Sequence, residues 1–92
     1  MNKLKAIETV EKAIQMSEEL FSPNSDWEPI VSTRIQLKYI LEALKNEGER
    51  TKLTDLTIGI FAVREFESNY EKFANLIYEV VEITTLMKKN RL

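Results

Sequence analysis

The sequence predicts an all-α fold, a compact antiparallel four-helix bundle, from three observations. Two glycines and two prolines in 92 residues leave little turn material, which favours few, long elements over a sandwich or barrel of short strands. Apolar residues recur three and four positions apart along most of the chain, the period of an amphipathic helix. The interruptions, near residues 22–25, 47–50 and 67–69, are short, and short connections make sequential helices antiparallel. A chain of this length is expected to form one domain, residues 1–92.

The first helix is expected over residues 3–21. Leu4, Ile7, Val10, Ile14 and Phe21 form its apolar stripe, with Ala13 and Leu20 beside them. Pro23 ends it, because a residue before proline disfavours the helical region. The second helix is expected over 26–46. Ser25 or Asp26 can cap it and Glu28 stands where a capping box places its acid. Pro29 is tolerable only in the first turn. Ile30, Leu37, Leu41 and Leu44 form its core stripe, with Trp27 and Ile40 at the margins. Trp27 suits the end of the bundle, as a seal over the core. Gly48 is a candidate left-handed cap for the following turn.

The third helix is expected over 52–66, opened by Thr51 or Thr54. Its run from Leu56 to Phe66 is apolar almost all round, as in a helix with neighbours on several sides. Gly59 at its centre costs about 1 kcal/mol relative to alanine, so close approach of a neighbouring backbone is expected there. The partly β-branched stretch 57–63 also admits a strand reading, although no partner strand is evident. The fourth helix is expected over 69–88, opened by a capping box at Ser68–Glu71. Tyr70, Phe73, Ile77, Val80, Thr84 and Met87 line its core face.

Composition excludes much chemistry. There is no cysteine and no histidine. Disulfides, thiol catalysis, histidine bases and the commonest metal ligand are therefore absent. The net charge of −2 supplies no basic field for nucleic acid. No apolar stretch is long enough to span a membrane or to act as a signal sequence at the start of the chain. A cytoplasmic location is expected. Carboxylates fall on polar helix faces, and no glycine-rich phosphate loop occurs. No catalytic, cofactor or metal residues are assigned, and no cofactor is expected. A small helical enzyme such as a chorismate mutase would need several inward arginines for a dicarboxylate, and the chain has four arginines in all.

Candidate binding residues lie on the second helix. With its core stripe turned inward, about 100° per residue sends Ser32, Ile35, Gln36, Tyr39 and Ala43 to the opposite face. Tyrosine among small and amide residues has the composition of a recognition patch. The same face would instead be buried if the helix were sandwiched. Arg64 lies close to the core face of the third helix, where a structural carboxylate partner is expected. Glu65 points away from that face and is the nearby charge available to a partner.

Two strings carry a resemblance: Ser32, Gln36-Leu37 and Tyr39-Ile40, then Leu56-Thr57, Gly59, Ala62-Val63 and Glu65-Phe66, with Arg64 matching in charge. Their order and separation resemble a family of small helical immunity proteins. Those proteins protect bacteria against type VI secretion effectors that destroy NAD(P)+, and related toxin domains make adenosine phosphate alarmones. The resemblance runs from about Trp27 to Ile83 and departs at Arg34, Ile35 and Lys38. It implies a non-catalytic inhibitor that binds a cognate toxin domain and blocks its active site. Ser32, Ile35, Gln36, Tyr39 and Glu65 are the expected partner-binding residues. The alternative reading of the same residues is a helical adaptor or dimerisation module, so self-association stays open.

Overall fold

Helix ends set the architecture, because each leaves unpaired backbone groups that must find partners. The structure, a computed structural model, describes residues 1–46 and 49–92. Helix α1 spans Lys3–Leu20 and α2 spans Glu28–Asn46. A 3₁₀ turn follows at Thr51–Asp55, then a single α turn, α3, at Ile58–Phe61 that continues into a π turn at Ala62–Phe66. Helix α4 spans Glu71–Lys88. No strand occurs among the described residues, and within the stretch 57–63 the residues from Ile58 on are helical. The proposed cap at Gly48 lies outside the described residues.

The pairing is antiparallel throughout. Glu11 of α1 meets Lys45 of α2 at 3.6 Å, while the other end of α1 meets Arg34. Gln36 of α2 bonds the start of α3, and Trp27 meets Phe66 edge to face with ring centroids 5.8 Å apart. Phe21, at the end of α1, lies 4.7 Å from the Tyr70 ring at the start of α4. Phe21, Trp27, Phe66, Tyr70 and Phe73 thus close one end of the bundle, as expected of Trp27.

Asn2 caps α1, its Oδ1 accepting from the Lys5 N–H at 2.8 Å. The buried stripe of α1 is Ala6, Val10, Ala13 and Ser17, rotated from the branched stripe expected. Small side chains let the helix lie close to its neighbours, while Ile7 and Ile14 flank the contact half-buried. Leu4, expected in the core, is 67% exposed. On α2 the stripe is likewise rotated: Ile40 is fully buried and Leu41 only partly. Thr33 is buried with a hydroxyl that finds no partner among the described residues.

No basic residue stands in the last turn of α1. Arg34 of α2 supplies the positive end instead. Its guanidinium donates to the carbonyls of Ser17 at 2.8 Å, Phe21 at 3.1 Å and Ser22 at 3.0 Å, and to the Ser17 hydroxyl at 3.2 Å. The fork complements the dipole at this helix end. It gives the Phe21 carbonyl a donor and adds a second donor to the Ser17 and Ser22 carbonyls, which already accept from the Phe21 N–H at 3.1 Å and the Ser25 N–H at 2.9 Å.

The two expected capping boxes do not form. Ser25 Oγ accepts from the Trp27 N–H at 3.3 Å, so α2 begins at Glu28 without the reciprocal pair. At α4 the N-cap is Tyr70, which makes no side-chain cap bond; its own N–H is taken by the Phe66 carbonyl at 2.7 Å. At the far end Asn90 adopts φ 58°, the left-handed conformation that asparagine tolerates. The Arg91 N–H then reaches back to the Leu86 carbonyl at 2.8 Å.

The third helix is broken where a continuous one was expected. Leu56 is extended, with ψ 140°. The π turn carries the Glu67 N–H to the Ala62 carbonyl, five residues back, at 2.8 Å. The segment is rotated so that Ile58, Ala62 and Phe66, at the i, i+4, i+8 spacing of one helical face, are all buried. That rotation turns Arg64 out to solvent, away from the expected carboxylate. It also leaves Ile60 54% and Val63 58% exposed, so the run is core on one side only. Gly59 does face α4, but a Cβ there would meet a side chain, Val81 Cγ2, at 3.4 Å rather than backbone.

Two mutations test this account. Arg34→Ala should destabilise the protein by about 2 kcal/mol, and Arg34→Lys should not restore it, since charged hydrogen bonds from a fork are lost; urea denaturation reads both. Gly59→Ala should be neutral or stabilising, whereas Gly59→Leu should cost about 1–3 kcal/mol by overpacking against Val81. A Leu variant of unchanged melting temperature would place this contact in open space.

Candidate interaction site

The residues singled out on α2 divide into an exposed stripe and a wall. Glu28, Val31, Ile35, Lys38 and Glu42 recur at helical spacing and all face solvent, with Ile35 65% exposed. Beside them, Ser32, Gln36 and Tyr39 are half-buried along the edge facing the 3₁₀ turn and α3. The helix is therefore neither open across its back nor sandwiched.

Gln36 caps α3 from another helix. Its Oε1 accepts from the Thr57 N–H at 2.7 Å and the Ile58 N–H at 3.1 Å. Its Nε2 donates to Thr57 Oγ1 at 2.9 Å and to Ser32 Oγ at 3.0 Å. The first amides of a helix normally find a side-chain acceptor immediately before them; Thr57, at that position, makes no such bond. The carboxamide is thus fully engaged, and it pins the break at Leu56–Thr57.

Tyr39 fastens the segment before that break. Its hydroxyl accepts from the Lys52 N–H at 3.2 Å and donates to the Glu49 carbonyl at 3.4 Å. Burial raises the Tyr39 pKa, with the Glu49 charge adding to the effect and the Lys52 N–H opposing it. The phenol therefore keeps its proton. Glu49 folds back on Thr51, accepting from its hydroxyl and from its N–H at 2.6 Å, and these bonds lower the Glu49 pKa. Residues 49–56 consequently cover the later turns of α2. Ala43, expected on the open face, is buried, with Glu49 beside it.

Between α2 and the 3₁₀ turn runs an open groove of about 300 Å³ lined by Ile35, Gln36, Tyr39, Lys52, Asp55 and Leu56. Three of these were expected together on one face. Lys52, Asp55 and Leu56 were not, because their approach depends on bonds made by Gln36 and Tyr39 at long sequence separation. Ser32 borders this arrangement through Gln36. Glu65 does not line the groove. It is half-buried on the π turn, toward the Trp27–Phe66 end of the bundle. Among the described residues no group of His, Cys, Asp and Glu is arranged to hold a metal ion. No helix among them is long and apolar enough to cross a membrane.

The family model for Tsi6 matches residues 5–85, from α1 almost to the end of α4. The chain belongs to the Tsi6 family. Tsi6 proteins are type VI secretion immunity proteins, not enzymes, and the partner such a protein implies is a cognate toxin protein. No curated protein and no solved structure matches the chain. The match takes in the whole groove and both strings, 32–40 and 56–66. The arginines of this Tsi6 chain do not converge as a chorismate mutase site would require. Arg34 and Arg50 bond backbone carbonyls, the latter that of Leu92 at 3.0 Å, while Arg64 and Arg91 are exposed.

The cap in trans is testable without a partner. Gln36→Leu should lower stability by about 1–2 kcal/mol, as for loss of a helix cap. It should also speed hydrogen exchange at the Thr57 and Ile58 amides more than at α4 core amides. Gln36→Glu, which keeps the acceptor, should retain most of that protection.

Proposed function

We propose that this Tsi6 protein neutralises an NAD(P)+-degrading type VI effector domain by covering its active-site cleft. It acts in the cytoplasm, as one domain over residues 1–92, without a cofactor. The observation that carries the reading is the exposed Val31–Ile35 pair beside the groove, on a face fastened by Gln36 and Tyr39. A surface already fixed in the free protein loses little ordering entropy on binding. Ile35 and Tyr39 are the proposed contacts, Ser32 and Gln36 form the wall behind them, and Glu65 is an outlying charged contact. The chain exposes 5839 Å², and a standard interface takes about 800 Å² from each partner, so one face suffices.

The test is co-expression with an NAD(P)+-degrading type VI toxin domain. Protection should appear at near one-to-one stoichiometry, and the purified protein should not consume NAD+. Ile35→Glu should weaken toxin binding by about 2 kcal/mol or more. Its melting temperature should stay close to wild type, because the side chain is exposed in the free protein. Turnover of NAD+ by the isolated chain, or protection at far lower ratios, would replace occlusion with enzymatic detoxification.

A further inference from the structure

The groove between α2 and the 3₁₀ turn has more definite chemistry than a patch. At about 300 Å³ it holds one long side chain and is too small for a helix. Ile35 and Leu56 are apolar walls, and the Tyr39 ring is held in place by the bonds of its hydroxyl to Lys52 and Glu49. The polar groups of the groove are not equally available. The Gln36 carboxamide is occupied by Ser32, Thr57 and Ile58. The Asp55 carboxylate is exposed and makes no hydrogen bond or ion pair among the described residues. Exposed Glu42 and Glu28 on the α2 stripe and Glu49 beside Tyr39 add negative charge, against two cations: Lys52, which lines the groove, and Lys38, exposed on the same stripe but turned toward α1 beside Arg34.

We propose that this groove is an anchor pocket for one arginine side chain of the toxin domain. Its stem lies along Ile35 and Leu56, its planar head stacks on Tyr39, and its donors pair with Asp55. Guanidinium suits such a site because it is planar, weakly hydrated and always charged, and because it is attracted to an aromatic face. The proposal rests on the immunity reading above and adds to it the chemistry of the group received. Lys52 makes the sign of the effect diagnostic: it opposes an incoming cation and would assist an incoming anion.

The experiment measures binding of an NAD(P)+-degrading type VI toxin domain to wild type, Asp55→Asn and Lys52→Gln, at low and high salt. Melting curves confirm that each variant folds. Asp55→Asn should weaken binding about tenfold, and Lys52→Gln should tighten it about threefold, with both effects shrinking as salt rises. Opposite signs would overturn the proposal in favour of an anionic anchor. No change in either variant would show that the groove stays empty in the complex. A well-folded wild type that does not bind this toxin domain at all would overturn the immunity reading for that toxin, a result separate from any pattern among the variants.

Discussion

Arg34 and Gln36, two positions apart on α2, satisfy helix ends on either side of it. Arg34 donates to the last carbonyls of α1, and Gln36 accepts from the first amides of α3. Unpaired backbone groups at helix ends cost free energy when they are removed from water. Local capping is sparse here: α1 ends without a basic residue, and neither Thr57 nor Tyr70 caps with its side chain. Much of the satisfaction comes instead from another helix. Helix α2 thereby fixes both neighbours in register, and the rest of the bundle is arranged around it.

This division of labour shapes the surface of α2. Positions facing α1 and α3 are committed to holding those elements. The stripe between them, Glu28, Val31, Ile35, Lys38 and Glu42, is exposed. A recognition surface on such a stripe can vary without unfolding the protein, and specificity between related toxins needs that freedom. Arg34 belongs to the structural set, whereas its neighbour Ile35 is exposed.

The core shows the same economy of small adjustments. Ala6, Ala13 and Ser17 let α1 lie close to its neighbours, and α4 presents a broad face from Phe73 to Met87. Ile58, Ala62 and Phe66, at the i, i+4, i+8 spacing of one helical face, are buried together across α3 and the π turn. The consequence is a second exposed apolar pair, Ile60 and Val63, on the opposite side. π turns recur at functional positions, and this one lies inside the stretch that carries the family resemblance.

The sequence by itself determined the all-α class, the order of the elements, the bounds of α1, α2 and α4 to within about two residues, and the family. These follow from local periodicity, from proline and glycine placement, and from two strings of residues. Trp27 at the bundle end and Ile35 on an open face were legible for the same reason. The tertiary structure decided what local rules could not. It set the rotation of α1 that exposes Leu4 and the break at Leu56–Thr57. It turned Arg64 outward and brought Lys52 and Asp55 to Tyr39. Each of these rests on a contact between residues far apart in the chain, such as Gln36 with Thr57 or Tyr39 with Lys52. Helical periodicity constrains neighbours three and four positions apart, and it is silent about which distant side chain will satisfy a helix end.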